Sequence, residues 1–420
     1  MQVKLYQYVK TLYQLLNLKL FKEKELLGYV FLSNSTKPTD TEQNSRTPIQ
    51  LTNVSRPSLQ IALEMGFDVH LGINRENPES LECELPIHLY DGHTYRSVFA
   101  FKDNIIAFRN LAKVLKKNNI YAIHCNTPVG GLIGRLAGRI YKIPKVIYTA
   151  HGFHFYKGAP LFNRTVLKLA ELIMARWTDA IITMNEEDFQ AASKFKLRKR
   201  GKVFKVSGVG ITLADFETSL ADFETSSNNR DKLRKSLGLS PNDIAFISAG
   251  DLIPRKNYKI AIEAIAKTNN PNVHYYICGE GPELTKLKQL TSKLKIEQQI
   301  HFLGRRTDIK DLFHSMDGFL FTTLQEGMPR SMMEAMACGL PCIASNIRGN
   351  KDLLVHGKGG FLCEPLDIME FAYRINSLTE SSELRQKMKV FNLLWIKKYD
   401  VSVVKKELDA IYKEVLLPFI

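Results

Sequence analysis

Short apolar runs alternate with segments of helical period along almost the whole chain, and that alternation restricts its fold more than any other feature. Runs that read as strands lie at 28–32, 68–73, 122–125, 145–149 and 180–183, and again at 244–248, 273–278, 300–302, 318–322 and 342–344. Between them, residues 55–65, 103–118, 130–139 and 162–177, then 258–267, 283–293, 309–314 and 330–337, read as helices. Such alternation implies parallel sheets covered by helices on both faces. At 420 residues the chain is too long for one ordinary core. The pattern breaks at the turn-rich Val206-Ser-Gly-Val-Gly-Ile211 and resumes near Asp231. The chain is therefore expected to be α/β, with two doubly wound, Rossmann-like domains at 26–207 and 231–395. Ligands then bind in a cleft between the carboxyl ends of the two sheets.

Three segments fall outside the two domains. Residues 1–25 have Leu5, Val9, Leu12, Leu16 and Leu20 at three- and four-residue steps, with five lysines and several tyrosines. They read equally as an interfacial membrane helix and as a helix packed on the first domain. Residues 208–230 form a linker in which Leu213-Ala-Asp-Phe-Glu-Thr-Ser219 is repeated identically as residues 220–226. Seven residues is far below any solenoid period, so a tandem duplication in a surface connection is the simplest account. Residues 396–420 carry a last helix, near 402–416.

The richest local signal is Glu326-Gly-Met-Pro-Arg-Ser-Met-Met-Glu334, followed by Ala-Met-Ala-Cys-Gly-Leu-Pro341. Pro329 suits the first helical position and Gly339 the residue just past the helix end. With the apolar run before it, the unit reads as strand, tight loop and helix. Glu326 lies in the loop and Glu334 about two turns into the helix. A helix start offers N–H groups to a diphosphate, and a nearby carboxylate can accept hydrogen bonds from sugar hydroxyls. The plainer alternative is that both are ordinary helix-face and helix-start residues.

The flanking motifs favour the first reading. The segment resembles the E-x7-E signature of retaining glycosyltransferases of family 4, which have the GT-B fold. The resemblance extends over about residues 26–415 and includes Gly250-Asp-Leu-Ile-Pro-Arg-Lys-Asn257, Cys278-Gly-Glu-Gly-Pro-Glu283, Phe302-Leu-Gly-Arg305, Ile343-Ala-Ser-Asn-Ile-Arg-Gly-Asn350 and Asp352-Leu-Leu354. In the first half, residues 124–131 and 148–160 look like the exopolysaccharide and capsule branch. The resemblance implies that Glu326 touches the donor sugar near the reacting centre, that Lys256 contacts the donor diphosphate and that His151 reaches the cleft from the first domain. It also implies that Glu334 holds the ribose hydroxyls and that Gly304 and Arg305 border the base. Gly327, Met328 and Pro329 form the turn behind Glu326. The last helix is implied to cross back onto the first domain.

Three positions depart from the family pattern. Asp251 stands where an arginine is common, which leaves Arg255 as the substitute phosphate partner. His124 and Asn126 replace a frequent His-x-His pair. No glycine lies between Gly28 and Gly66, where the acceptor-facing loop is often glycine-rich.

Composition narrows the alternatives. No apolar run approaches the length of a membrane span, and residues 1–25 lack a signal-peptide pattern. Six scattered cysteines form no C-x-x-C pair, which argues against zinc and for a reduced, cytoplasmic setting. No Asp-x-Asp motif is evident in either domain, and Asp215 and Asp222 belong to the duplicated linker, so no metal or other cofactor is expected. The net charge of +15 suits anionic partners. With no helix-turn-helix, RNP or zinc-finger pattern, a polyanionic substrate or an anionic membrane surface is favoured over nucleic acid. The expected activity is transfer of a sugar from a nucleotide-sugar donor, UDP-linked by preference, to a lipid-linked saccharide at the inner face of the membrane. Two other readings remain at this level: a nucleotide-sugar 2-epimerase of the same architecture and a non-catalytic basic membrane-surface protein.

Overall fold

The computed structural model describes residues 26–33 and 48–416, except 76, 96, 98, 157 and 217–221; for 222–228 it describes the backbone alone. The expected N-terminal amphipathic helix, most of the loop after residue 33 and the junction between the two heptapeptide copies lie outside the described residues.

Two parallel sheets organise the chain. The first contains β1 (Gly28–Leu32), β2 (Asp68–Ile73), β3 (His88–Asp91), β4 (Ile120–Asn126), β5 (Lys145–Ala150), β6 (Ala180–Thr183) and β7 (Lys202–Lys205) in the order 3-2-1-4-5-6-7. The second contains β8 (Ile244–Ala249), β9 (Val273–Cys278), β10 (Ile300–Gly304), β11 (Gly318–Phe321), β12 (Cys342–Ser345) and β13 (Gly360–Cys363) in the order 10-9-8-11-12-13. Each order reverses once, between β1 and β4 and between β8 and β11. Crevices open at such reversals, at the strands' carboxyl ends.

Strands buried on both faces are easy to see in the sequence, and β1, β2, β6 and β9 match the expected bounds residue for residue. The strands not foreseen are β3, β7 and β13. His-Leu-Tyr-Asp and Lys-Val-Phe-Lys are short and partly polar because they form the two edges of the first sheet, where one side of the ladder is unpaired. β13 is a four-residue edge strand that begins at Gly360, packed so closely that a Cβ there would lie 1.9 Å from the Cys342 carbonyl oxygen. Pro329 is the N-cap of helix Arg330–Ala337, one residue before the expected first helical position. Gly339 follows that helix at φ +79°, in the left-handed region that glycine tolerates.

Apolar side chains form separate cores on the two faces of each sheet. Helix Val401–Leu416 packs on the first sheet beside helix Arg56–Glu64. The Tyr412 hydroxyl there lies 2.6 Å from the Tyr29 hydroxyl and 2.5 Å from His124 Nδ1. His124 is fully buried, and desolvation pushes its imidazole down to about 3. It anchors the closing helix and does not face the cleft.

The linker differs from its expected form. The first heptapeptide copy begins with a 3-10 turn at Leu213–Asp215, but residues 222–226 of the second copy open helix Asp222–Ser236.

Candidate active site between the two sheets

The loops that follow β8 and β11 are tied together, which brings a cation to a carboxylate. Thr322 Oγ1 donates to the Asn257 carbonyl at 2.9 Å, and the Leu324 amide donates to the Arg255 carbonyl at 2.8 Å. Pro254–Lys256 forms one 3-10 turn, and Asn257 takes a left-handed conformation that starts the next helix. Lys256 Nζ then lies 2.8 Å from Glu326 Oε1. The same oxygen accepts from Arg255 Nη1 at 3.1 Å and from Thr323 Oγ1 at 3.1 Å. The lysine also sits 4.7 Å above the Phe321 ring, where a cation gains further attraction. Its side chain and that of Glu326 are mostly buried, whereas Arg255 is half exposed.

The first domain meets this cluster at Gly327. A Cβ at Gly327 would lie 1.6 Å from the His151 carbonyl oxygen, so only glycine permits this approach. Gly152 faces it at φ +136°. Asn185 Nδ2 donates to the Gly327 carbonyl at 3.1 Å. His151, just beyond the carboxyl end of β5, has Nε2 3.1 Å from Asn126 Oδ1 at the end of β4. Burial lowers its imidazole to about 4, so the ring is neutral near pH 7. The Asn126 amide nitrogen is buried and without a partner, a donor left over at the carboxyl end of β4. Asn126, a departure from the family pattern, thus supports His151.

The remaining sequence-based candidates are less concentrated. Glu334 Oε1 accepts from Arg330 Nε at 2.8 Å; burial raises its carboxyl, and Arg330 partly offsets that. Met328 packs against cores of both domains. Gly304 ends β10 at φ +65°, its carbonyl accepting from the Gly279 amide at 2.8 Å, and Arg305 follows it exposed. Pro329 caps the helix as described.

A second contact between the domains carries residues whose role the sequence did not disclose. Asp188 is buried in helix Glu186–Ala192, which Asn185 caps by accepting from the Asp188 amide at 2.9 Å. Arg348, also buried, donates to Asp188 and to the Phe153 carbonyl. Its guanidinium lies 4.9 Å from the centre of the Tyr156 ring. Beside it, the Glu186 amide donates to Asp352 at 2.7 Å. Arg348 and Asp352 lie within the family-like motifs of the second half, but their partners are more than 150 residues away. Only the Asn185 capping signal was locally readable. Among the described residues, no cluster of three or more His, Cys, Asp or Glu is arranged to hold a metal.

Residues 229–391 match the family described as glycosyl transferases group 1, and residues 56–185 match glycosyl transferase 4-like. EpsD of Bacillus subtilis (strain 168), a protein named as a glycosyltransferase, is 32% identical over 77% of this chain and 83% of its own length. An Escherichia coli UDP-Gal:alpha-D-GlcNAc-diphosphoundecaprenol alpha-1,3-galactosyltransferase is 29% identical over 80% and 86%. The Staphylococcus aureus capsular polysaccharide biosynthesis glycosyltransferase CapM is 26% identical over 86% and 93%. Among solved structures, Anabaena Alr3699/HepE in complex with UDP superposes with a TM-score of 0.70 at 21% identity, covering 92% of this chain and all of its own. Shared fold, matched halves and an EpsD likeness that runs through both domains together show that the chain belongs to glycosyltransferase family 4, enzymes of the GT-B fold.

Proposed function

We propose that the protein transfers a sugar, with retention of configuration, from a UDP-linked donor to a saccharide carried on a polyprenyl diphosphate, in the assembly of a surface polysaccharide. The observation that carries this reading is the Lys256–Glu326 pair at the reversal of the second sheet, with His151 opposite it just beyond β5 and held by Asn126 at the end of β4. The E. coli galactosyltransferase, named for UDP-Gal and a diphosphoundecaprenol acceptor, supports both classes; a Campylobacter jejuni diphospho-undecaprenol N-acetylgalactosaminyltransferase 25% identical over 74% of this chain supports the acceptor, and CapM supports a surface polysaccharide as the product.

In this reading Lys256 and Arg255 take up the donor diphosphate. Charge on that group grows as the glycosidic bond breaks, so a fixed ammonium favours the transition state over the ground state. Glu326, released from Lys256, holds the donor sugar near the reacting carbon. Gly327 and Met328 shape the turn that brings Glu326 there, and Glu334 receives the ribose hydroxyls. The acceptor hydroxyl attacks from the side of the leaving group and passes its proton to the departing phosphate oxygen. Neutral His151, oriented by Asn126, donates or accepts a hydrogen bond at the sugar without adding charge. The chain supplies position and electrostatics, with no metal in any role, at the inner face of the cell membrane.

The test is a screen of nucleotide sugars against a polyprenyl-diphosphate saccharide, with and without chelator. Transfer from a UDP-sugar in both conditions is expected. Conversion of the free nucleotide sugar without acceptor would replace the reading with an epimerase, and dependence on added divalent ion would remove the metal-free mechanism.

A further inference from the structure

Two side-chain bridges join β4 to the strand beside it, β5, and they differ in how completely their atoms are used. The inner bridge runs from His124 Nε2 to Thr149 Oγ1 at 2.7 Å. The other ring nitrogen of His124 lies 2.5 Å from the Tyr412 hydroxyl and 3.0 Å from that of Tyr29, so both nitrogens are engaged. The outer bridge runs from His151 Nε2 to Asn126 Oδ1 at 3.1 Å. Asn126 follows His124 by two residues and His151 follows Thr149 by two, so the outer bridge continues the inner one toward the cleft.

The outer bridge leaves two atoms unused. Asn126 is 1% exposed, and its amide nitrogen has no hydrogen-bond partner. The His151 ring makes no other hydrogen bond among the described residues, so its Nδ1 is unused as well. An amide oxygen only accepts, so Nε2 carries the proton of the neutral ring and Nδ1 is an acceptor. The bridge therefore offers one donor, from Asn126, and one acceptor, from His151. Turning the amide round exchanges these roles: the amide oxygen is then left to accept and Nδ1–H to donate. One donor and one acceptor remain in either arrangement. A buried polar atom without a partner is costly and uncommon in a folded protein, and the inner bridge on the same two strands is saturated.

Charge and position define what completes the outer bridge. Asn126 carries no charge, and burial keeps the His151 ring neutral near pH 7. A phosphate offers acceptors alone and an ammonium donors alone, so either leaves one atom of the bridge unmatched. A hydroxyl accepts and donates through a single oxygen. The His151 carbonyl packs against Gly327, the residue after Glu326. The bridge thus adjoins the turn that carries Glu326, whereas Lys256 and Arg255 supply the cations on the far side of that carboxylate.

We infer that Asn126 is a specificity-determining residue which, together with His151, reads one hydroxyl of the donor sugar: one member of the pair donates to the hydroxyl oxygen and the other accepts from its O–H. The inference rests on the proposed UDP-sugar donor and narrows it to sugars with a free hydroxyl at the position that meets this bridge. A sugar deoxygenated there leaves a donor and an acceptor unpaired at once, and a site built to bond a hydroxyl rejects the analogue that lacks it.

The experiment compares the unaltered full chain with Asn126→Ala and Asn126→Asp. The donors are UDP-galactose, UDP-glucose and their N-acetylated counterparts and, for the best of these, analogues deoxygenated at one hydroxyl at a time. Two quantities are read: kcat/KM with a polyprenyl-diphosphate saccharide, and affinity relative to UDP. In the unaltered protein, one deoxygenation is expected to lower kcat/KM about a hundredfold. In Asn126→Ala that ratio should shrink to within about threefold, with the ratios at other positions and the affinity for UDP itself unchanged. Asn126→Asp keeps an acceptor for His151 but leaves the pair without a donor, so it should lose the ratio too, whereas a residue that only orients His151 would retain it. An unchanged ratio at every position in both variants would overturn the inference. So would a series on the unaltered protein, which needs no variant to fold, in which no deoxygenation costs more than about threefold in rate or affinity. The same discrimination seen in affinity, with no transfer from any donor, would support the contact and count instead against the proposed reaction.

Discussion

Lys256 and Glu326 pair directly at 2.8 Å, so under the proposed function a donor diphosphate has to divide a pair that is already formed. The ammonium exchanges one anion for another and remains partly shielded from water, which limits reorganisation when charge develops. Lys256→Ala should therefore reduce turnover about a hundredfold while changing nucleotide affinity much less. Glu326→Ala should also act mainly on turnover. Glu334→Ala should weaken donor binding, by roughly 1.5–3 kcal/mol for each hydrogen bond to a ribose hydroxyl that the substitution removes. Calorimetric UDP affinity and transfer rate, measured on variants whose circular dichroism matches the unaltered protein, separate these outcomes. Equal rates in all three would remove the proposed site. His151 carries a different consequence. Its folded-state value near 4 lies below the ordinary imidazole value of 6.5. Between those two pH values the unfolded chain binds the extra proton, so stability is lost as pH falls through that window. His151→Gln should flatten the dependence of thermal midpoint on pH between about 6.5 and 4, by about 3 kcal/mol at most. An unchanged slope would show that the ring is not held neutral.

At the scale of elements, the duplicated heptapeptide is the most instructive. In the first copy the Leu213 amide donates to Asp400 at 3.2 Å, and the Phe216 carbonyl accepts from His314 at 3.1 Å. In the second copy, residues 222–226 begin a helix held farther along by Arg230 and Arg234, both paired with Asp317. Deleting residues 220–226 leaves one copy to serve as both anchor and helix start. The Asp317 pairs lie beyond the deletion, and surface connections change length at low cost. Near-normal transfer and a thermal midpoint lower by only a few degrees, about 1 kcal/mol or less, are expected. A large loss in a transfer assay would show that linker length sets the spacing of the domains. Elements were legible in proportion to their burial. Interior strands such as β1 and β11 announce themselves by continuous apolar runs, whereas edge strands β3 and β7 are short and mixed because water meets one side. Helix Ile368–Glu380 is absent from the sequence reading although Phe371, Ala372, Ile375 and Leu378 recur at the helical period behind an Asp367 cap.

Across the whole molecule, the domains are joined by Gly327 against His151 and by Arg348 on Asp188. The second is a buried ion pair between residues 160 positions apart. Removing one member of such a pair strands the other charge, which typically costs about 3–5 kcal/mol. Arg348→Ala should therefore lower the thermal midpoint and also the transfer rate, because His151 and Lys256 lie on opposite domains. UDP affinity should change little, since the proposed nucleotide contacts belong to the second domain. A variant with intact stability and rate would show that this contact does not hold the domains together.

The sequence by itself determined the kind of fold and the places where chemistry could occur. Backbone hydrogen bonding and the burial of apolar runs impose alternating strand and helix, and the motif residues then fall at strand ends, where Glu326, Lys256 and His151 do lie. Tertiary structure decided which of these ends meet. Gly327 at the His151 carbonyl, Asn126 behind His151 and Arg348 on Asp188 are contacts between residues 25 to 176 positions apart. No local pattern encodes such distant partners. The heptapeptide shows the division at one position: Asp215 closes a 3-10 turn in the first copy, whereas its equivalent Asp222 opens an α-helix in the second. Local propensities differ by less than about 1 kcal/mol per residue, so the surroundings decide, through Asp400 and His314 for the first copy and the helix that continues from the second.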